Sequence, residues 1–359
     1  MKQRTAKKAL TAAACLGLGA LFLITAGPLN IVRAAAAFST VVTAPDGALA
    51  AAQQMVDEQE AEHEIDYGSG LWTEMPTSPP ASSESEGPIP PMPEGYQPIT
   101  EATYEEGSGD QYIPSGAGWV RNVTQLPRSE VAAAIMQALP FQVEVGSPEP
   151  QVLIMHTHAT ETYQLNDYPY YDPAFTCRST DNSVNMVRVG NEIADQLNAA
   201  GIVTLHDDTL HDYPSYNGSY AKSRATVEQY LAQYPSIKVV LDIHRDAIER
   251  EDGTRIKPVC TVNGEKSAQV MIICGADNGT MGMPNYMQNL RFASRLQDAI
   301  ERAAPGITRP VLFDYRNYNQ QLTTGSLLIE VGGHANSLQE AINAGRHVGK
   351  GLVMLFTGA

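Results

Sequence analysis

An α/β domain, its twisted and mostly parallel sheet flanked by helices, is the fold that most of this 359-residue chain predicts. Three observations predict it. Short unbroken apolar runs, such as Val152-Leu153-Ile154-Met155, have the pattern of strands buried on both faces. Segments of helical periodicity separate those runs, and strands alternating with helices imply crossovers between parallel strands. Glycine and proline punctuate the joins. With 43% hydrophobic and 18% charged residues the chain has ample material for a core.

The elements follow in order. Lys2, Arg4, Lys7 and Lys8 precede an uncharged, mostly apolar stretch from Ala9 to Leu29. A basic flank before such a run marks export, and its length approaches the ~20 residues that cross ~30 Å of hydrocarbon. Residues 1–37 are therefore expected to be an apolar helix serving as an export signal or a single-pass membrane anchor. Ala34 to Ala37 would supply a cleavage site in the first case, and either way the rest lies outside the cytoplasm. Residues 38–118 carry Glu58, Glu60, Glu62 and Glu64, then many prolines from Pro76 to Pro98. Repelling charges and stiff prolines predict a disordered acidic linker, a coil spanning on the order of 50 Å.

The third part, 119–359, is the expected catalytic domain. A short helix over 129–139 ends at Pro140, and a strand over 152–156 follows. Val184, Val187, Val189, Ile193 and Leu197 share one face of a helix over 182–200, which Gly201 stops. A strand at 202–206, a helix at 219–234 and a strand at 238–244 come next. Segments 258–263 and 267–274 read as a hairpin turned by Asn263-Gly264. A helix at 285–304, a strand at 327–333 and a helix from Ser337 to Phe356 complete the chain.

Charge limits the partners. Among 24 Lys+Arg and 40 Asp+Glu the net charge is −16, with fifteen acids and no Lys or Arg between 34 and 120. Nucleic-acid binding, which draws on clustered cations, is not expected. Outside the export segment the cysteines are Cys177, Cys260 and Cys274, an odd number without CxxC spacing. Cys260 and Cys274 flank the expected hairpin and could bridge, but buried thiols are the simpler reading.

In a parallel sheet chemistry gathers at the carboxyl ends of strands, and three apolar runs here end in ionisable groups. His156 and His158 close the first, with Glu161 one turn on. His244 closes the third, before Arg245 and Asp246. Glu330 closes a later one, before Gly332-Gly333. Taken singly, a strand-end histidine is usually structural; the conjunction points to a metal. Two imidazoles and a carboxylate suit catalytic zinc, which keeps one position open for water. His158, Glu161 and His244 are the expected ligands, and Glu330 the group that takes the proton from water. His156, on the same side of an extended strand as His158, is the alternative ligand and is placed behind it. Arg245 and Arg178 are candidates for contacting substrate, and Asp246 for orienting a ligand or Arg245.

These pieces resemble the stage II sporulation protein P family of endospore-forming bacteria. The similarity lies in Val152–Tyr163 (VLIMHTHATETY), Asn185–Gly190 (NMVRVG), Leu241–Ala247 (LDIHRDA), and Leu327–Gly333 with Asn336 (LLIEVGGHAN). The layout of anchor and acidic spacer is also similar. The resemblance implies a zinc-dependent hydrolase of peptidoglycan, related to the N-acetylmuramoyl-L-alanine amidases. Its bond would be the amide between muramic acid and L-alanine, with peptide cross-links as further targets. The implied setting is engulfment during sporulation, at the cell membrane, with sporulation proteins D and M as partners. The amidases place a ligand Glu at the start of the helix after the first strand, where this chain has Asn185; Asn is a poor zinc ligand, so Glu161 takes that role. A zinc carboxypeptidase-like peptidase and a non-catalytic cell-wall scaffold are the competing functions.

Overall fold

The computed structural model describes residues 89–105 and 107–358. The expected export segment and most of the expected linker lie outside them. Twelve strands and five α-helices are formed by the described residues. In chain order they are β1 (Gln97–Ala102), β2 (Tyr112–Ser115), β3 (Gly118–Asn122), α1 (Arg128–Ile135), β4 (Val152–Met155), β5 (Tyr170–Tyr171), α2 (Met186–Ala199), β6 (Thr204–His206) and α3 (Ser219–Gln233). Then come β7 (Val239–Asp246), β8 (Arg255–Val262), β9 (Glu265–Ala268), β10 (Val270–Gly275), α4 (Tyr286–Ala303), β11 (Val311–Asp314), β12 (Gly325–Gly333) and α5 (Leu338–Thr357).

Eight strands form one sheet in the order β2-β3-β11-β10-β12-β7-β4-β6. Its pairings are parallel except β2 with β3 and β10 with β12. The sheet is therefore mixed, and the antiparallel step has a geometric consequence. Val270, at the start of β10, lies opposite Val331, near the end of β12. The carboxyl ends of β12, β7 and β4 thus share one edge with the amino ends of β10, β11 and β3.

The main core packs α2, α4 and α5 onto one face. Ile154, Leu241, Ile243, Ile329 and Val331 belong to it, together with Val189, Ile193, Leu296 and Val348. By strand alternation Asp242, His244 and Glu330 point to the other face. A smaller cluster there packs Leu153, Met155 and Val240 against Val227 of α3.

The helices begin and end for local reasons. Asn185 caps α2, its side-chain oxygen accepting from Val187 N at 3.0 Å, and Gly201 after the helix takes a φ of 77°. In α5 the Ser337 hydroxyl accepts from Glu340 N while the Glu340 carboxylate accepts from Ser337 N, a reciprocal box. The first helix is shorter than its sequence pattern, running from just after Pro127 to Ile135.

Two expectations are corrected. The fold begins before residue 119: β1 and β2 both fall inside the segment 38–118 expected to be linker. β1 pairs in parallel with β8, Ile99 opposite Arg255 through Ala102 opposite Pro258, so its partner lies far along the chain and leaves no local signal. The hairpin at Asn263-Gly264 forms, both residues having positive φ, but its second strand divides. β9 stays with β8 in a four-stranded sheet, β5-β1-β8-β9, while β10 joins the large sheet. No bridge joins the arms, since Cys177, Cys260 and Cys274 are all free. Among the described residues no helix is long and apolar enough to cross a membrane.

Candidate functional site

His244 and Glu330 are register partners on the adjacent strands β7 and β12, which sets an imidazole beside a carboxylate. After β4 the chain turns at once, Glu161 N donating to the His158 carbonyl at 3.1 Å. That turn carries His158 and Glu161 over the end of β7. The His158 and His244 rings stand edge to face with centroids 5.2 Å apart, and Glu161 Oε2 lies 3.8 Å from His244 Nδ1. All three are buried. The four residues expected to carry the chemistry are thus brought to one place.

Their supports are specific. Asp242, two residues before His244 on the same face, holds His244 Nε2 at 2.8 Å and leaves Nδ1 turned toward Glu161. Asp242 is itself fixed by Thr157, whose N–H and hydroxyl donate at 2.8 and 2.6 Å. Burial works against charge on both groups. Their attraction outweighs it, holding Asp242 below the usual carboxylate range and His244 above the usual imidazole range. Glu161 Oε2 accepts from Arg245 N at 3.2 Å. His158 stacks on Tyr216 at 4.5 Å and lies 3.9 Å from Asp212, which accepts from Thr160 and Arg178. Tyr220, edge-on to His158, stacks in turn on Tyr318.

Glu330 is the outlier. Its Oε2 is buried with no hydrogen-bond partner among the described residues. Burial, with the negative charges of Asp246 and Glu161, holds it well above the usual carboxylate range against the pull of His244 and Arg309. A half-buried carboxylate with raised proton affinity is suited to accept a proton.

Four flanking assignments from the sequence change. His156 does not stand behind His158: β4 ends at Met155, so strand alternation stops there, and both ring nitrogens of His156 are engaged elsewhere. They meet the Ile243 carbonyl at 2.9 Å and His206 Nε2 at 2.8 Å. The Arg245 guanidinium faces inward to the carbonyls of Thr162 and Cys177, so it ties the loop over β7 and is not a substrate clamp. The Asp246 carboxylate pairs with Arg309 at 2.6 Å, and only its backbone carbonyl accepts from Arg245, at 3.4 Å, so its side chain does not orient Arg245. Arg178 holds Asp212 and covers the Tyr216 ring, a wall of the site. Asp242 was within reach of the sequence, because it shares a strand face with His244. Asp212, Tyr216 and Tyr220 were not, since they come from a loop and a helix start with no periodic signal. Asn185 is a helix cap whose amide also donates to Ser179 O.

No group of three or more His, Cys, Asp or Glu among the described residues forms a ready metal cage. The donor set nevertheless fits zinc in kind: two imidazoles, one oriented by a carboxylate behind it, and an acidic side chain beside that one.

The class that fold and site define is a mixed α/β domain with paired imidazoles and carboxylates at one sheet edge. The family model for stage II sporulation protein P matches residues 51–352, and the chain belongs to that family. The stage II sporulation protein P of Bacillus subtilis (strain 168) is 29% identical over 230 residues, covering 61% of this chain and 54% of that protein. The match therefore spans about half the length of that curated relative. Among solved structures, the N-acetylmuramoyl-L-alanine amidase AmiC2 of Nostoc punctiforme is similar over 59% of this chain and 98% of its own, at 13% identity and a TM-score of 0.36. The CwlD amidase of Clostridioides difficile, solved with the GerS lipoprotein, is similar over 58% of this chain and 100% of its own, at 10% identity and a TM-score of 0.35.

Proposed function

We propose that this protein is a peptidoglycan hydrolase that cleaves the N-acetylmuramoyl-L-alanine amide, and stem-peptide cross-links as a second target, during sporulation. The observation that carries the reading is Glu330, a half-buried carboxylate whose inner oxygen, Oε2, has no hydrogen-bond partner among the described residues, side by side with His244 at the edge where His158 and Glu161 converge. His158, Glu161 and His244 would hold a zinc ion, which supplies a Lewis acid for activating water and polarising the amide carbonyl. Glu330 takes the proton of the attacking water and delivers it to the leaving amine nitrogen. Asp242, 2.8 Å from His244 Nε2, orients the ring so that Nδ1 turns to the site, and Arg245 N fixes Glu161. Tyr216, Tyr220 and Tyr318 exclude bulk water from this face.

The amidase reading is preferred to a terminal-residue peptidase. Such an enzyme needs a cation for the free carboxylate of its substrate, and here Arg245 is bound to backbone carbonyls and Arg178 to Asp212. An export segment with Lys2, Arg4, Lys7 and Lys8 would anchor the protein at the membrane, facing the wall, within reach of sporulation proteins D and M.

The test is muropeptide profiling of purified sacculi digested by the full chain. Glycan strands freed of whole stem peptides are expected; release of single amino acids would favour the peptidase. Glu330→Gln should keep the fold and bound zinc while hydrolysis falls by about 10²-fold or more. His244→Ala should lose zinc by elemental analysis, and unchanged zinc would refute the ligand assignment. Full hydrolysis in Glu330→Gln would leave the protein a scaffold with a contaminant's activity.

A further inference from the structure

We propose that a cavity between Trp119, Gln297 and Tyr104 is a binding subsite for an uncharged sugar ring, set on the same sheet edge as His244 and Glu330. That the sugar belongs to the glycan of peptidoglycan rests on the function proposed above. The cavity measures about 360 Å³ and is walled by Tyr104 and Glu105 after β1, Trp119 on β3, Gln297 and Glu301 on α4, and Thr308 before β11. It contains none of the proposed catalytic residues.

Gln297 gives the cavity its chemistry. The side chain is 1% exposed, and its Nε2 donates to the Arg309 carbonyl at 2.8 Å, which fixes the amide and directs Oε1 the other way. Oε1 is buried and has no partner among the described residues. A buried acceptor left unpaired is costly, and such atoms call for an explanation. Gly118 keeps the approach open: a Cβ there would stand 2.5 Å from Oε1. No positive φ asks for glycine at 118, so the close approach is its role.

The ligand class follows from the walls. Glu105 and Glu301 disfavour an anion. Glu301 is already engaged by Thr308 N at 3.0 Å and the Thr308 hydroxyl at 2.6 Å, so the unpaired acceptor is a neutral amide, matched to an O–H or N–H donor without charge. The indole of Trp119 offers an apolar face. A pyranose presents both features, C–H groups on a face and hydroxyl or acetamido donors around it, and the volume lies within the ~300–1,000 Å³ of small-molecule sites.

Position links the cavity to the catalytic edge. Thr308 bridges to Val270, and Val270 is opposite Val331, the neighbour of Glu330. Two strand spacings separate Thr308 from Val331, about 10 Å. Arg309 spans the interval, lying over the Tyr104 ring at 4.7 Å and pairing with Asp246.

The chain has two tryptophans, Trp72 and Trp119. The test titrates the full chain carrying Trp72→Phe with chitotetraose, a neutral oligosaccharide with no peptide to cleave, and reads Trp119 emission. A saturable change is expected, with Kd raised about tenfold or more in Gln297→Met, which keeps the volume but removes the acceptor. Gly118→Ala, which covers Oε1, should act likewise, and thermal midpoints show which variants are folded. No saturable change with chitotetraose, or a Kd indifferent to the folded variants, overturns the proposal. So does a stronger response to the diamine cadaverine, which would make this an amine site. Sacculus hydrolysis by Glu330→Gln is measured in parallel. Full hydrolysis there with intact saccharide binding removes the hydrolase reading alone, whereas absent binding with Glu330→Gln inactive removes the subsite alone.

Discussion

His156 and His158 are two residues apart and have different work, because the strand that would align them ends at Met155. His158 enters the site through the turn, whereas His156 is packed between Ile243 O and His206. Burial and the neighbouring His206 depress His156 to about 3. A depressed imidazole stays neutral when folded but binds a proton when unfolded near pH 6.5, so its contribution is complete above that value and drains away toward pH 3. The metal-free chain should therefore lose stability on acidification between about pH 6.5 and 4, one proton contributing ~1.4 kcal/mol per pH unit. In His156→Asn, urea unfolding across that range should show a slope smaller by about one proton; an unaltered slope would count against a buried neutral His156. The sequence singled out His244 and Glu330 for a related reason, since an ionisable group near the end of an apolar strand is costly without a role. It misplaced Arg245, because nothing local reveals that a guanidinium will find two carbonyls across a loop.

At the level of elements, the end of the chain shows what local pattern can and cannot convey. The sequence reading starts the last helix at Ser337, and the reciprocal Ser337–Glu340 bonds make that residue the cap of α5. Ser337→Ala should cost about 1 kcal/mol in chemical unfolding, the usual worth of a cap. Glu340 has a second duty that no local pattern announces. Its carboxylate lies 2.9 Å from Lys257 Nζ on β8, an ammonium whose side chain is 2% exposed, and it also accepts from Asn336 at 2.9 Å. Glu340→Ala should therefore cost more, roughly 3 kcal/mol, because a buried cation loses one of its carboxylates while Asp167 remains. Equal losses in the two variants would mean that the lysine gains nothing from Glu340. The division of 267–274 into β9 and β10 is hidden for the same reason. Gln269 sits at the break, its side chain bonded to both backbone groups of Tyr104, a partner brought in by β1.

Across the whole molecule, composition marks 34–120 as one acidic block, yet the block is not physically uniform. Its later acids belong to the fold: Glu101, on β1, lies by Lys257 and Lys266. Composition misses this because β1 and β2 are short, polar on one side, and paired with strands that only the tertiary fold brings near. Ile99 packs with Tyr171 and Ala335, and Ile113 is 2% exposed in the main core. Removing β1 would leave β8 with an unpaired edge, and removing β2 would uncover β3. Burying two isoleucines and closing two ladders is worth on the order of 5 kcal/mol. For a domain of this size that corresponds to roughly 10–20 °C in Tm. Fragments 89–359 and 119–359 should therefore differ by about that much in a thermal scan, with the shorter one more prone to aggregate through the exposed β8 edge. Equal midpoints would show that the domain begins where composition places it. A lower midpoint for 119–359 would place Tyr104 and Glu105 inside the catalytic unit, joined to Asp246 through Arg309, so that the amino-terminal strands help to build the edge on which the chemistry is proposed.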